Sequence, residues 1–215
     1  MMPATAEDVL AALNWRYAVK KFDATKKIPA ETWALLEESL RLSPSSYGLQ
    51  PWKFFVVSTP SIREQLLPHT WGQKQVVDAS HLVVLAVKNP VTPADGEKLI
   101  EYTAQVRGIP ASVLDTYKNM VTGSLGRTPD AERDVWMSRQ IFIALGVLLT
   151  TAAMLHVDAC PMEGFVPEKY DDILGLTAKG YASRVVATLG YRAADDAYAT
   201  LAKIRYPKNE ILETL

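Results

Sequence analysis

Val9, Leu10 and Leu13 recur at helical spacing behind Thr5, with Asp8 three residues beyond it, so the chain is predicted to open on a capped helix reaching about Trp15. Ile28-Pro29 puts a proline at the first turn of a second helix. Trp33, Leu36 and Leu40 form its apolar face, and Glu31, Glu37, Glu38 and Arg41 are left for water. Ser43-Pro44 ends it, because the residue before a proline leaves the α region. Phe54 to Val57, His81 to Val87 and Arg184 to Leu189 are short, almost wholly apolar runs, the pattern of buried strands. Ser61 to Leu67 and Pro167 to Leu174 read as short helices, and Gln73 to Ala79 as a turn or helix. Glu97 to Val106 and Ala111 to Val121 read as two rim helices, followed by a loop punctuated by Gly123, Gly126 and Pro129. Asp130 to His156 is the longest helical pattern, apolar almost all round from Ile141. Such a helix is either central in its domain or shared with a second subunit. Ala159 to Phe165 reads as a tight loop, and the tail from Thr200 to Leu215 has little to bury itself against.

With 215 residues, 48% hydrophobic and 22% charged, and no internal repeat or linker, the chain is expected to form one domain over residues 1–215. Its net charge of −1 argues against a general nucleic-acid binder, which carries a large basic excess. Cys160 is the only cysteine, so no disulfide joins two sites of one chain and a reducing compartment is natural. Met1 to Leu13 has no basic leader, and the apolar run Ile141 to Leu155 falls short of the ~20 residues that span a bilayer. The expectation is a soluble, cytoplasmic protein.

Charge is local rather than global. If Arg16 to Lys20 is extended, Arg16, Ala18 and Lys20 share one face, and Lys203-Ile204-Arg205 repeats the arrangement near the other end. Two cationic pairs suit a phosphate-bearing ligand, Arg as a fork and Lys as a point charge; the alternative is solvated surface charge. Other chemistries find no support. There is no G-x-G-x-x-G after a strand and no Walker A run. Gly123-Ser124-Leu125-Gly126 misses the nucleophile elbow because Thr122 precedes it. His69, His81 and His156 lack metal-ligand spacing, and Cys160 has no evident base beside it.

Four stretches together resemble the FMN-dependent nitroreductase family, in its oxygen-insensitive NAD(P)H nitroreductase or dihydropteridine reductase-like branch. They are Arg16 to Asp23, Ser43-Pro-Ser-Ser through Gln50-Pro-Trp52, Cys160-Pro-Met-Glu-Gly-Phe165, and Lys203-Ile-Arg205; Asp78-Ala-Ser-His81 ahead of a strand adds to them. The resemblance implies an α+β three-layer sandwich whose central sheet is mixed and mostly antiparallel. It also implies an intertwined homodimer with two FMN sites at the interface, a lid over about 92–130, and a tail over about 200–215 lying on the partner.

By the same resemblance Arg16, Lys203 and Arg205 serve the FMN phosphate, with Ser45 and Ser46 of the partner adding donors and Pro44 and Gly48 shaping their loop. Lys20 serves the redox ring, where a fixed cation favours the reduced state. Glu163 and Gly164 present backbone N–H groups to the ring. Gln73 and Gln75 meet its pyrimidine edge, and Tyr17, Ala18, Pro161 and Met162 complete the cofactor contacts. Lys20 and Glu163 are the expected catalytic positions, and Tyr47, Trp71 and Tyr117 the expected aromatic walls of the substrate channel. No metal is implied. The implied activity is two-electron, ping-pong hydride transfer from NADH or NADPH to a nitroaromatic, quinone or related acceptor. Alternatives are a dihydropteridine or enone reductase of the same fold, or a flavin-binding or flavin-fragmenting protein without NAD(P)H turnover. Two departures stand out: Gln75 replaces a lysine that several members carry, and Gly48 replaces an asparagine of the Pro-Ser-Ser loop.

Overall fold

The computed structural model describes residues 5–215. Helix α1 (Ala6–Trp15) starts from a complete capping box in which the Thr5 hydroxyl accepts from the Asp8 N–H and the Asp8 carboxylate accepts from the Thr5 N–H. Helix α2 (Ala30–Arg41) uses Pro29 as its cap residue, one position earlier than the pattern suggested. Strand β1 (Trp52–Val56), α3 (Pro60–Leu66), the single turn α4 (Gln75–Asp78) and strand β2 (His81–Lys88) follow. Then come α5 (Pro93–Arg107), α6 (Asp115–Arg127), α7 (Asp130–Met154), β3 (Asp158–Met162), α8 (Pro167–Leu174), β4 (Tyr181–Gly190) and the short α9 (Lys208–Ile211).

The sheet runs β1-β2-β4-β3 with every ladder antiparallel. A parallel bridge between Ala18 and Ala159 lays the Arg16 segment along the outer edge of β3, which makes the sheet mixed. The unbroken apolar run of β2 has a direct cause. Val83, Leu85 and Val87 enter one core with α2 and α7, while Leu82, Val84 and Ala86 enter a second core with α3 and α8. A strand covered on both faces cannot alternate polar and apolar residues. The result is the expected helix–sheet–helix sandwich.

Two expectations fail. Residues 159–165 are not a loop throughout: Asp158–Met162 is a fourth strand. Pro161 suggested a turn, but β3 is the outermost strand of the ladder, where a missing N–H is tolerated. Gly123 and Gly126 do not punctuate a loop either, since α6 runs through both to Arg127. Val121 and Leu125 are fully buried on that helix, and burying two such side chains outweighs the roughly 1 kcal/mol propensity cost of each glycine.

Helix α7 is long and apolar enough, by length and composition, to cross a membrane. Here Met137, Ile141, Leu145 and Leu148 instead face the sheet core. Its other side leaves Val135, Phe142, Ile143 and Met154 exposed at 39–50%.

At the head of β2, His81 stacks on Trp33 with centroids 3.9 Å apart and planes at 11°. Ser80 Oγ accepts from the Ile28 N–H and is hydrogen-bonded to His81 Nδ1 at 3.0 Å, as donor or acceptor according to the imidazole tautomer. Burial first, then the Arg63 and Lys27 cations, pushes the His81 pKa down to about 4. Because this lies below the unfolded value of 6.5, the unfolded chain takes up the proton first, and stability present at pH 7 is lost as pH falls from about 6.5 towards 4. Melting temperature should therefore drop across that window. His81→Phe, which keeps the stack, should flatten the drop; an unchanged pH profile in the variant would exclude His81 as its source.

Candidate active site

Helix α1 stops at Trp15, and Arg16 turns extended with φ −68° and ψ 140°. From there the chain follows β3, and the Val19 N–H donates to the Ala159 carbonyl at 3.4 Å. Neighbouring side chains diverge as an extended run requires: Val19 is fully buried and Lys20 is exposed. Trp15 and Tyr17 grip Arg192, whose guanidinium carbon lies 4.3 and 4.5 Å from their ring centroids. Asp158 holds that guanidinium from the other side, accepting from Nε at 2.9 Å and Nη2 at 2.6 Å.

Arg16, Tyr17, Ala18 and Lys20 line a groove of about 520 Å³ whose opposite wall carries Lys203 and Arg205. Among the described residues, no carboxylate pairs with any of these four cations. Burial first, and then the charge of Arg205, lowers the Arg16 pKa; burial followed by Arg16 and Arg205 lowers that of Lys203. Cations that raise one another's energy without a counter-charge make an anion site. Lys203 also closes the C-terminus of α1, where its ammonium donates to the carbonyls of Leu13, at 2.6 Å, and of Arg16. Most of its donors are thus committed to backbone, while its charge still faces the groove. Lys21 pairs with Asp195 at the surface and takes no part.

Strand β3 leads from the groove to a second cluster. The parallel register sets Lys20 beside Pro161, and Gly164 is then at most about 10 Å further along the chain. Burial raises the Cys160 thiol pKa, and the charges of Lys20 and Arg16 oppose the rise. Met162 turns its side chain into the second core, so only its backbone is available to the groove side. Past the strand end, the N–H groups of Glu163 and Gly164 find no acceptor among the described residues. Gln73 Nε2 donates to the Gly164 carbonyl at 3.1 Å and fixes the orientation of that peptide. Trp71 is 73% exposed, with a left-handed φ of 55°, and its ring lies directly on Gly164. A Cβ at 164 would stand 2.7 Å from Trp71 Cζ3, so a larger residue there would displace the exposed Trp71 ring. Gln75 is 5% exposed, and its amide makes no hydrogen bond to the described residues.

A third cluster lies elsewhere. Tyr47 and Gly48 adopt φ of 57° and 65°, the Ser46 N–H donates to Gln140 Oε1 at 2.8 Å, and Tyr117 OH donates to the Tyr47 carbonyl at 2.6 Å. The Tyr47 ring meets Tyr117 and Trp136 edge-on. Neither this loop nor Pro44 and Ser45 lines the cationic groove of the same protomer.

The profile of the nitroreductase family matches residues 13–191. The chain belongs to the nitroreductase family. Curated relatives agree along the whole length: a Staphylococcus haemolyticus protein named as an NAD(P)H nitroreductase is 34% identical, with 99% of each chain covered. A Staphylococcus aureus protein of the same name is 36% identical over 88% of each. Among solved structures, an Exiguobacterium sibiricum protein assigned as a nitroreductase and crystallised with FMN superposes with a TM-score of 0.81, 22% identity and full coverage of both chains. The fold brings Arg16, Lys20, Lys203 and Arg205 into one groove, and Trp71, Gln73, Glu163 and Gly164 together at the end of β3. Asp158, Arg192 and Asp196 brace the groove side, and sequence reasoning missed them. Nothing in their local sequence marks them, since each acts on residues far along the chain.

Proposed function

We infer that this protein is an FMN-dependent NAD(P)H oxidoreductase that reduces nitroaromatics, quinones or related acceptors by two-electron hydride transfer in a ping-pong cycle. One observation carries the reading. A groove holding four cations that have no carboxylate partner among the described residues is bridged at Ala18 to β3, past whose end two backbone N–H groups find no acceptor among them, in a chain of the nitroreductase family. The residues fit the group. Arg16 and Arg205, with the charge of Lys203, suit a phosphate; Lys20 suits the edge of a ring that gains negative charge; the Glu163 and Gly164 N–H pair suits ring acceptors, over a glycine that leaves no side chain in the way. Gln73 and Gln75 supply amides to a pyrimidine edge, and the backbone of Tyr17, Ala18, Pro161 and Met162 forms the floor. FMN held there would supply the hydride-transfer chemistry between NADH or NADPH and the acceptor. The side chains bind, orient and stabilise charge, and water at an open site supplies protons.

The Pro44, Ser45, Ser46 and Gly48 loop reaches a groove in this reading only from a second copy of the chain, which makes the protein a homodimer. Exposed Leu10 and Leu13 on α1, Phe142 and Ile143 on α7, and Ile204, Ile211 and Leu212 in the tail support that assembly, since so much apolar surface is unusual on a monomer. Tyr47, Tyr117 and Trp71 are then the aromatic walls of the channel. Buried, unpaired Cys160 needs no oxidising compartment, which suits the cytoplasm.

An absorbance spectrum of the purified protein, taken before and after anaerobic NADH or NADPH, tests the reading. Yellow flavin bleaching within seconds is expected. A protein that stays colourless after FMN is added would exclude it, and a flavin that binds but does not bleach would leave a flavin-binding protein without NAD(P)H turnover.

A further inference from the structure

The two arms of the cationic groove lie about as far apart in sequence as the chain allows, and one side chain binds the first arm and caps the turn that leads to the second. Asp196 is 5% exposed. Its Oδ2 accepts from Tyr17 OH at 3.0 Å and from the backbone N–H groups of Lys20 at 3.0 Å and Lys21 at 3.3 Å. Its Oδ1 accepts from the Tyr198 N–H at 3.1 Å and starts the turn that leads into Lys203 and Arg205. We propose that Asp196 is a positioning residue for the cofactor groove: one carboxylate ties the Arg16–Lys20 arm to the Lys203–Arg205 arm and sets the spacing at which they close on a phosphate.

The proposal rests on the reading of this groove as the phosphate end of a flavin site. A carboxylate suits this position because it only accepts, and every group aimed at it is a donor. An amide would turn its NH₂ towards one set of N–H groups and release one arm. The charge is retained, since burial would raise the Asp196 pKa but the N–H groups of Tyr198, Lys20 and Lys21 and the Tyr17 hydroxyl more than offset it. Its hydrogen bonds go to backbone N–H groups and a phenol, and the guanidinium its charge supports is Arg192, which does not line the groove. Asp196 thus holds the backbone at Lys20 and the turn before Lys203 without forming an ion pair with a groove cation. The chain just beyond the segment has its own anchors. The bridge of Phe22 with Arg192, and the N–H groups of Asp23 and Ala193 donating to Tyr191 and Lys21 carbonyls at 2.8 and 2.9 Å, hold the chain just beyond.

Riboflavin, which shares the ring and ribityl chain of FMN but has no phosphate, separates positioning from general damage. FMN and riboflavin are titrated into the flavin-free full-length protein and followed by fluorescence quenching. Asp196→Ala is expected to cut the ratio of FMN to riboflavin affinity about tenfold, the loss of roughly one charge-assisted contact. Asp196→Asn, the variant to rely on if the alanine protein fails to fold, should cut it about threefold. Asp195→Ala, at the exposed Lys21 pair, should leave it unchanged. A wild-type preference for FMN that survives in both Asp196 variants overturns the positioning role alone, as does an equal loss for both ligands. A wild-type protein that binds neither flavin overturns the flavin reading, and the role of Asp196 with it.

Discussion

Replacing Arg16 by alanine should weaken FMN retention by about 10- to 100-fold, the consequence of losing a charged hydrogen-bonding partner worth roughly 1.5–3 kcal/mol. The variant has a second, opposite signature. Arg16 is destabilised in the flavin-free protein by burial and by Arg205, and no carboxylate repays either. Removing it relieves that repulsion, so the flavin-free protein should melt at the same temperature or slightly higher, while the gain in melting temperature on adding FMN shrinks. Arg16→Lys should recover only part of the affinity, because a point charge cannot offer two parallel N–H groups. Calorimetric titration with FMN, beside melting curves with and without it, checks both signs. An Arg16→Ala protein that binds FMN as tightly as the parent would remove Arg16 from the phosphate site.

Lys20→Ala should act on the flavin's chemistry more than on its retention. A cation at the ring edge favours the reduced state over the oxidised one, and only that difference moves the potential. Lys20 is exposed and partly screened, so the midpoint should fall by about 30 mV, which is tenfold in a two-electron equilibrium, with a slower hydride-transfer phase. Gln75→Lys is the complementary change. Gln75 is 5% exposed as a residue, so a lysine there would bring charge to the same environment and should move the midpoint upward. Redox titration of the parent and both variants, with stopped-flow reduction by NADH, checks the pair. Should Arg16→Ala and Lys20→Ala lose binding and potential alike, the 16–20 segment is a phosphate clamp and nothing more. A midpoint indifferent to Gln75→Lys would move Gln75 away from the ring.

The strongest elements were legible because their pattern is local. The two-sided apolar run of β2, the capping box at Thr5 and Asp8, and the length of α7 all follow from neighbours within a few residues. Strand β3 was not legible. Asp158–Met162 holds Pro161 and one cysteine among small residues, and it is a strand because β4 pairs with it on one side and the Arg16 segment covers the other. Gly123 and Gly126 misled for the same reason, since burial of Val121 and Leu125 overrides helix propensity.

By itself the sequence determined which residue types could meet an anion and a redox ring. It carried the two cationic pairs, the glycine at 164 and the motifs that assign the family, because charge, size and backbone freedom belong to each residue wherever it folds. The tertiary structure decided how they act together. It brought Lys203 onto the end of α1 and left the four groove cations without an ion-pair partner among the described residues. It set Trp71 against Gly164, and it placed one carboxylate, Asp196, on the Lys20 backbone and on the turn that precedes Lys203. Most of those contacts join residues far apart in the chain, and no local rule of spacing or propensity reaches across such a separation.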